Sequence, residues 1–242
     1  KALPWLIPYW VVEALGVLYQ ANNGVARPGA FLVNPDIAAG FLALGIVYLM
    51  QRKDALKWAA LPLAFALPFT GTRLAFAVAA LLLGAFFLWQ LWKHKDFAFT
   101  VLLAGTLGLG FLGNWEATQR TLPTSTVEIR QDMQERLSLP KERPVEAFFL
   151  PNGYYGDHGA HSTPMRLALE WGWAALIAWG CLSLWQLWQH RTGPLFLVML
   201  AVLLLSSIDY YALMPGGVSA LWWLANRKAM YHLTQSLLFG TM

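Results

Sequence analysis

Long apolar segments separated by short polar connections follow one another along almost the whole chain. A membrane-spanning helix needs about 20 mostly apolar residues. The pattern therefore predicts an all-α protein, a polytopic transmembrane helical bundle with about eight spans. The predicted spans are residues 3–20, 35–51, 57–70, 73–93, 97–113, 165–189, 193–212 and 216–227.

Basic residues cluster in alternate connections, and this alternation predicts the orientation of the bundle. The clusters lie within 52–57, 93–95, 190–191 and 227–228. Because cytoplasmic loops are rich in Lys and Arg, these connections are predicted to be cytoplasmic and the remaining ones to face outward.

The spans and connections predict four parts in the chain. Residues 1–113 are expected to hold transmembrane helices 1–5, and residues 114–164 a large outward-facing loop with a short helix. Residues 165–229 are expected to hold helices 6–8, followed by a C-terminal tail at 230–242. An ordered loop of this length is often functional, although a solvated spacer is the alternative interpretation.

Composition supports a membrane protein and excludes several other classes. Hydrophobic residues make up 57% of the chain and charged residues 12%, about half the charged fraction of a soluble domain. The net charge of +4 comes from the orienting clusters, so no nucleic-acid partner is predicted. The single cysteine, Cys181, excludes a disulfide framework or a cysteine-based metal site within one chain.

Ionisable residues inside or beside the predicted spans are the first candidates for function, because charges at membrane depth are costly. Those in the outward half are Arg27, Asp36, Arg73, Arg166, Glu170 and Asp209. Glu13, near the middle of the first span, is the exception, and the sequence suggests no partner for it. Structural ion pairs are the alternative, but several arginines facing one polar cavity would suit a phosphate or diphosphate.

The glycine-rich stretch 152–162 adds Asp157, His158 and His161 just before the sixth span. Histidine titrates near neutral pH, so these residues are candidates for proton transfer. Their spacing does not match a recognised metal-ligand pattern, and no metal is predicted. A structural polar contact is favoured for His158, and a functional role for His161.

Four motifs in this chain resemble the O-antigen ligase family. His161-Ser162 followed after nine residues by Gly172 is similar to the family signature, although Ala175 replaces its last residue. The segment 27–36, from Arg27 to Asp36, resembles an Arg/Gly/Phe/Asn-Pro-Asn segment, with Asp36 where Asn is usual. The turn 70–73 resembles Thr-x-Ser-Arg, and 209–211 resembles Asp-His-Tyr.

The resemblance implies a metal-independent, inverting glycosyltransferase of the bacterial cytoplasmic (inner) membrane, multi-pass and with its active face outward. Such an enzyme transfers a glycan from a polyprenyl-diphosphate carrier to an acceptor hydroxyl of a glycan, lipid or protein. The implied partners are these substrates and membrane lipids, and no cofactor is implied.

The resemblance also assigns roles to individual residues. His161 is expected to be catalytic, serving the acceptor. The donor diphosphate is expected to bind Arg73, Arg130 and Arg27, with Arg136 as the alternative to Arg130 in the loop. Glu170, Gly172 and Asp209 are expected to support the site, and Gly172 is expected to permit close approach of another helix.

Family members are usually longer, and their early spans have no counterpart in this chain. The expectation is a fragment, a chain completed by a partner subunit, or a shortened homologue without activity. A non-catalytic membrane subunit of a larger complex and a lipid or solute transporter therefore remain as alternative functions.

Overall fold

A computed structural model describes residues 6–93, 97–115, 163–191 and 195–208. Within these ranges every regular element is helical, which confirms the all-α class. The α-helices are α1 (Ile7–Asn22), α2 (Pro35–Leu49), α3 (Ala60–Ala66), α4 (Arg73–Trp92), α5 (Ala98–Gly113), α6 (Thr163–His190) and α7 (Leu195–Ile208). Short 3-10 helices lie at Ala30–Leu32, Ala55–Ala59 and Leu67–Thr70.

These helices coincide with the first seven predicted apolar segments, but most are short. In the part of the chain that the structure describes, α4 is the one helix of at least 18 residues that is apolar enough to cross a membrane. The other apolar helices have between 10 and 17 residues. The described helices therefore do not by themselves support a bundle of about eight spans, and the predicted span 216–227 lies outside them.

Helix α2 forms the centre of the packed core. Its residues are buried from Ala38 to Leu49, and it packs against α1, α3, α4 and α7. Gly45 lets α1 and α3 lie close to α2, because a Cβ at this position would lie 2.5 Å from Cδ2 of Leu63 and 3.0 Å from two ring atoms of Trp10. Trp10 is itself fully buried and lies beside Phe41, with ring centroids 5.7 Å apart.

Gly110 of α5 packs directly against the backbone of α3 at Phe65. A Cβ there would lie 3.1 Å from the carbonyl carbon and 3.2 Å from the Cα of Phe65, and closer still to the carbonyl oxygen. Just beyond, the Asn114 side chain donates a 3.5 Å hydrogen bond to the Pro68 carbonyl. The C-terminal end of α5 is thus fixed to the 3-10 turn that precedes α4.

Basic residues at several helix ends lie over aromatic rings. The pairs are Lys57 with Phe99, Lys93 with Trp92 and Arg191 with Trp188, at 4.9, 4.0 and 3.9 Å from the ring centroids. Beyond the end of α2, Arg52 forms an ion pair with Asp54, and this guanidinium holds the pKa of Asp54 below its usual value. All of these residues lie at or beside helix ends that were predicted to be cytoplasmic.

Helix α6 covers the predicted span 165–189 but contains a kink. Gly172 has φ 80° and ψ 175°, which divides the helix into two parts. This region of backbone space is essentially restricted to glycine. Glycine is therefore required at position 172 for this kink, and the close approach of another helix at Gly172 stays a prediction.

Candidate functional site

The structure describes part of the predicted site. Arg27 and Arg73 lie within it, as does the backbone of Gly172. The remaining predicted residues lie outside the described residues, or their side chains do: His161, Arg130, Arg136 and Asp209, the candidates Asp157 and His158, and the side chains of Arg166 and Glu170.

Two of the four sequence motifs are brought into direct contact. The Asp36 Oδ1 atom accepts a 2.8 Å hydrogen bond from Arg27 Nη2 and another of 2.8 Å from Thr72 Oγ1. Asp36 and Thr72 are 36 residues apart in the chain. One carboxylate therefore joins the 27–36 segment to the 70–73 turn, as a shared site requires.

The sequence places Asp36 at this point through helix capping. Asn34 is the N-cap of α2, and its side chain accepts hydrogen bonds from the backbone N–H groups of Asp36 and Ile37, at 2.8 and 3.3 Å. Pro35 follows as the first helical residue, a position that proline favours. Asp36 then lies in the first helical turn, where the helix dipole stabilises a negative charge.

The 70–73 turn is shaped by Thr70 and Gly71. The buried hydroxyl of Thr70 donates a 2.8 Å hydrogen bond to the Leu67 carbonyl, which closes the 3-10 turn. Gly71 follows in the left-handed conformation, at φ 69°. A Cβ at Gly71 would lie 3.5 Å from Cγ of Arg27, so the aliphatic part of Arg27 lies directly over this turn.

Helix α4 begins at Arg73 without a side-chain cap. Thr72 occupies the N-cap position, but its hydroxyl donates to Asp36 and makes no cap hydrogen bond. The first N–H groups of a helix carry partial positive charge and favour anions. The side chain of Arg73 is exposed at this helix start, two residues beyond the glycine that Arg27 covers.

A second set of contacts holds the segment that carries Arg27. Gln20 Oε1 accepts from the backbone N–H groups of Gly29 and Ala30, at 3.2 and 2.9 Å. Glu13 Oε1 accepts from the N–H of Leu32 at 3.3 Å. The sequence suggested no partner for Glu13, and the structure supplies one: the backbone of the connection between α1 and α2.

Sequence reasoning missed Gln20 and Gly16 as parts of this arrangement. A Cβ at Gly16 would lie 2.8 Å from Cβ of Ala30, so the glycine lets the connection lie directly on α1. The signal was present, because residues 13, 16 and 20 fall on one helical face at spacings of three and four. Two polar side chains flanking a glycine on one face of an otherwise apolar helix form a recognisable pattern.

No protein family, curated protein or solved structure was found to match this chain. Among the described residues, no group of three or more His, Cys, Asp or Glu side chains could hold a metal ion. The described part of the site combines the guanidinium groups of Arg27 and Arg73 and the start of α4 with the Asp36 carboxylate that pairs with Arg27, and its cationic groups could bind an anion.

Proposed function

We propose that the chain is a membrane-embedded glycosyltransferase of the O-antigen ligase type. It transfers a glycan from a polyprenyl-diphosphate donor to an acceptor hydroxyl on the outer face of the bacterial cytoplasmic membrane. The observation that carries the proposal is the hydrogen bond between Asp36 and Thr72, at 2.8 Å. It joins two motifs that resemble the same family and that are distant in the chain.

Exposed apolar surface supports the membrane location. Only 28% of the most apolar stretch of α4 is buried, whereas the core helix of a soluble protein is mostly buried. Leu81, Leu88 and Trp92 on this helix are exposed by 61, 65 and 71%. A large exposed apolar surface calls for lipid or a protein partner. A multi-pass bundle of about eight spans is part of the proposal.

Donor recognition is assigned to Arg27 and Arg73. The guanidinium group matches the geometry of phosphate oxygens, and Arg73 is exposed at the start of α4, where the helix dipole favours an anion. As the bond between sugar and diphosphate breaks, the leaving diphosphate gains negative charge. A preorganised cationic contact of this kind is typically worth about 3 kcal/mol, or about 100-fold in rate.

The predicted loop 114–164 starts beside this turn, which supports a role for the residues assigned to it. Asn114 at the end of α5 hydrogen-bonds to Pro68 in the turn before Arg73, and the loop 114–164 follows directly. Arg130, with Arg136 as the alternative, is assigned to the donor diphosphate, and His161 to the acceptor.

The proposed reaction is a single inverting displacement. The acceptor oxygen forms a bond to the anomeric carbon while the bond from that carbon to the diphosphate oxygen breaks. The diphosphate leaves with the bonding electron pair, and the proton of the acceptor hydroxyl passes to the imidazole of His161. Glu170, Gly172 and Asp209 are assigned supporting roles around these groups.

The test is transfer by the purified chain from a polyprenyl-diphosphate glycan to candidate acceptors. Arg73→Ala and His161→Ala are each expected to lower the rate by about 100-fold or more. Arg191→Ala is the matched control, since Arg191 lies over Trp188 at the end of α6 predicted to be cytoplasmic, and it should retain activity. Transfer that survives both site substitutions would refute the proposal.

Interrupted helices favour a transporter as the second candidate function. The helical run Ala55–Thr70 has 3-10 geometry at both ends, and α6 is broken at Gly172. Discontinuous helices of this kind form substrate sites in many secondary transporters. Uptake of a lipid-linked or soluble anion into vesicles containing the chain, without any transfer to an acceptor, would support this alternative.

A further inference from the structure

The connection between α1 and α2 lies on α1 and is fixed there by side chains of that helix. Gln20 accepts two backbone hydrogen bonds from residues Gly29 and Ala30, and Glu13 accepts one from Leu32. Glu13 is only 1% exposed, and its second carboxylate oxygen has no hydrogen-bond partner among the described residues. A buried carboxylate, which is costly to desolvate, thus accepts a hydrogen bond from a backbone amide of the connection between α1 and α2.

The backbone of this connection adopts conformations that it would not hold unaided. Ala30 and Val33 have φ values of 44° and 61°, in a region that residues with a side chain rarely occupy. Such strain persists only where the surroundings fix the backbone. The acceptors on α1 supply this constraint. They bind the amides of Gly29, Ala30 and Leu32, that is, strained Ala30 itself, the residue before it and the residue before strained Val33.

The constrained segment lies between the two residues that reach the 70–73 turn. Arg27 precedes it and lies over Gly71, while Asp36 follows it and accepts hydrogen bonds from Arg27 and Thr72. The ion pair between Arg27 and Asp36 is partly exposed, at 54 and 35% of the two side chains. An exposed ion pair is weak, so it does not suffice to hold Arg27 over the turn.

We propose that Glu13 and Gln20 are positioning residues that hold the 29–32 backbone on α1 and so keep Arg27 at the 70–73 turn for donor binding. The inference rests on the proposed function for the role of Arg27, but its structural part can be tested alone. What both side chains must supply is an acceptor oxygen, not a charge.

The first experiment measures hydrogen exchange of backbone amides in the chain reconstituted in phosphatidylcholine–phosphatidylglycerol vesicles. Glu13→Ala should raise exchange at Leu32, and Gln20→Ala should raise it at Gly29 and Ala30, with peptides from α5 unchanged. Glu13→Gln keeps an acceptor oxygen and should behave like the wild type. Leu15→Ala is the matched control, because Leu15 lies on α1 with 55% exposure.

The second experiment measures affinity for undecaprenyl diphosphate and the KM for the donor in the same variants. Glu13→Ala and Gln20→Ala should each raise the dissociation constant for undecaprenyl diphosphate and the KM for the donor by about tenfold. This is the expected effect of losing one hydrogen bond between Arg27 and the charged diphosphate. Because Arg27 is also proposed to stabilise the leaving diphosphate, kcat should fall as well in Glu13→Ala and Gln20→Ala, whereas Leu15→Ala should leave it unchanged. Glu13→Gln should restore affinity if Glu13 acts by accepting the Leu32 amide.

The outcomes separate the inference from the proposed function. Unchanged exchange in Glu13→Ala and Gln20→Ala overturns the inference, as does a released segment with unchanged donor affinity. Glu13→Gln behaving like Glu13→Ala also overturns it, because the charge would then be what matters. A wild-type chain that binds no undecaprenyl diphosphate overturns the proposed function, and exchange then decides alone whether these side chains hold the segment.

Discussion

Gly110 gives the sharpest test of the packing between α3 and α5. In Gly110→Ala the new methyl group would lie 3.1 and 3.2 Å from the carbonyl carbon and Cα of Phe65, with the carbonyl oxygen nearer still. Carbon and oxygen atoms normally approach to about 3.3–3.6 Å. The obstructing atoms are backbone, so no rotamer change relieves the clash and the two helices must separate.

The expected cost is about 1–3 kcal/mol, the range for overpacked interiors. Gly108→Ala is the matched control, because it lies on the same helix and no atom lies within 4 Å of its Cβ position. There the higher helix propensity of alanine should leave stability unchanged or raise it by up to about 1 kcal/mol. Thermal unfolding of both variants in the same detergent measures the difference.

Equal stability of the two variants would refute the reasoning, since the backbones of α3 and α5 would then lie farther apart at Gly110 and Phe65 than these distances require. A second readout links the packing to the site. The turn 67–70 lies between α3 and α4, and Asn114 at the end of α5 bonds to it, so Gly110→Ala should also weaken donor binding while Gly108→Ala does not.

Three further predictions concern single positions. Gly172→Ala should lower stability by about 1–3 kcal/mol, because alanine is strained at φ 80° and ψ 175°; thermal unfolding with Gly180→Ala as control tests it, and equal stability would contradict the kink. Asn34→Ala removes the cap of α2 and should cost about 1 kcal/mol, measured in the same way and contradicted by an unchanged transition. Asp36→Asn removes the charge that pairs with Arg27 but keeps an oxygen that can accept from Thr72. Affinity for undecaprenyl diphosphate should therefore rise about two- to fivefold, which matches the contribution of a partly exposed ion pair. Weaker binding in a direct titration would contradict this prediction.

The sequence predicted helix positions well because the apolar segments are long and bounded by clear signals. The start of α2 is an example, since Asn34, Pro35 and Asp36 form a readable cap. The sequence placed Arg27, Asp36 and Arg73 in the same predicted outward half, but it did not predict the hydrogen bond between Asp36 and Thr72 that joins the 27–36 segment to the 70–73 turn. For His161, Arg130 and Asp209 the expectation stays a prediction, because they lie outside the described residues.

Other features could not be read from the sequence, for physical reasons. The partner of Glu13 is a backbone amide, and backbone groups carry no residue-specific signal. Gln20 shares one face of α1 with Glu13 and Gly16, which is a readable pattern, but only the path of the following connection shows that its partners are the amides of Gly29 and Ala30. The kink at Gly172 depends on a φ value, and a glycine within an apolar helical pattern indicates flexibility without specifying whether the helix breaks.

The shortness of the helices has a consequence for any bilayer around them. Helix α5 has 16 residues and exposes Val101, Leu109 and Leu112 on its surface, so it extends about 24 Å, against a hydrocarbon thickness of about 30 Å. Helices this short are matched by local thinning of the lipid. Under the proposed function, thinning beside α5, whose end at Asn114 bonds to the turn before Arg73, would bring the phosphates of a carrier lipid closer to Arg73, so that substrate approach would depend on membrane thickness as well as on charge.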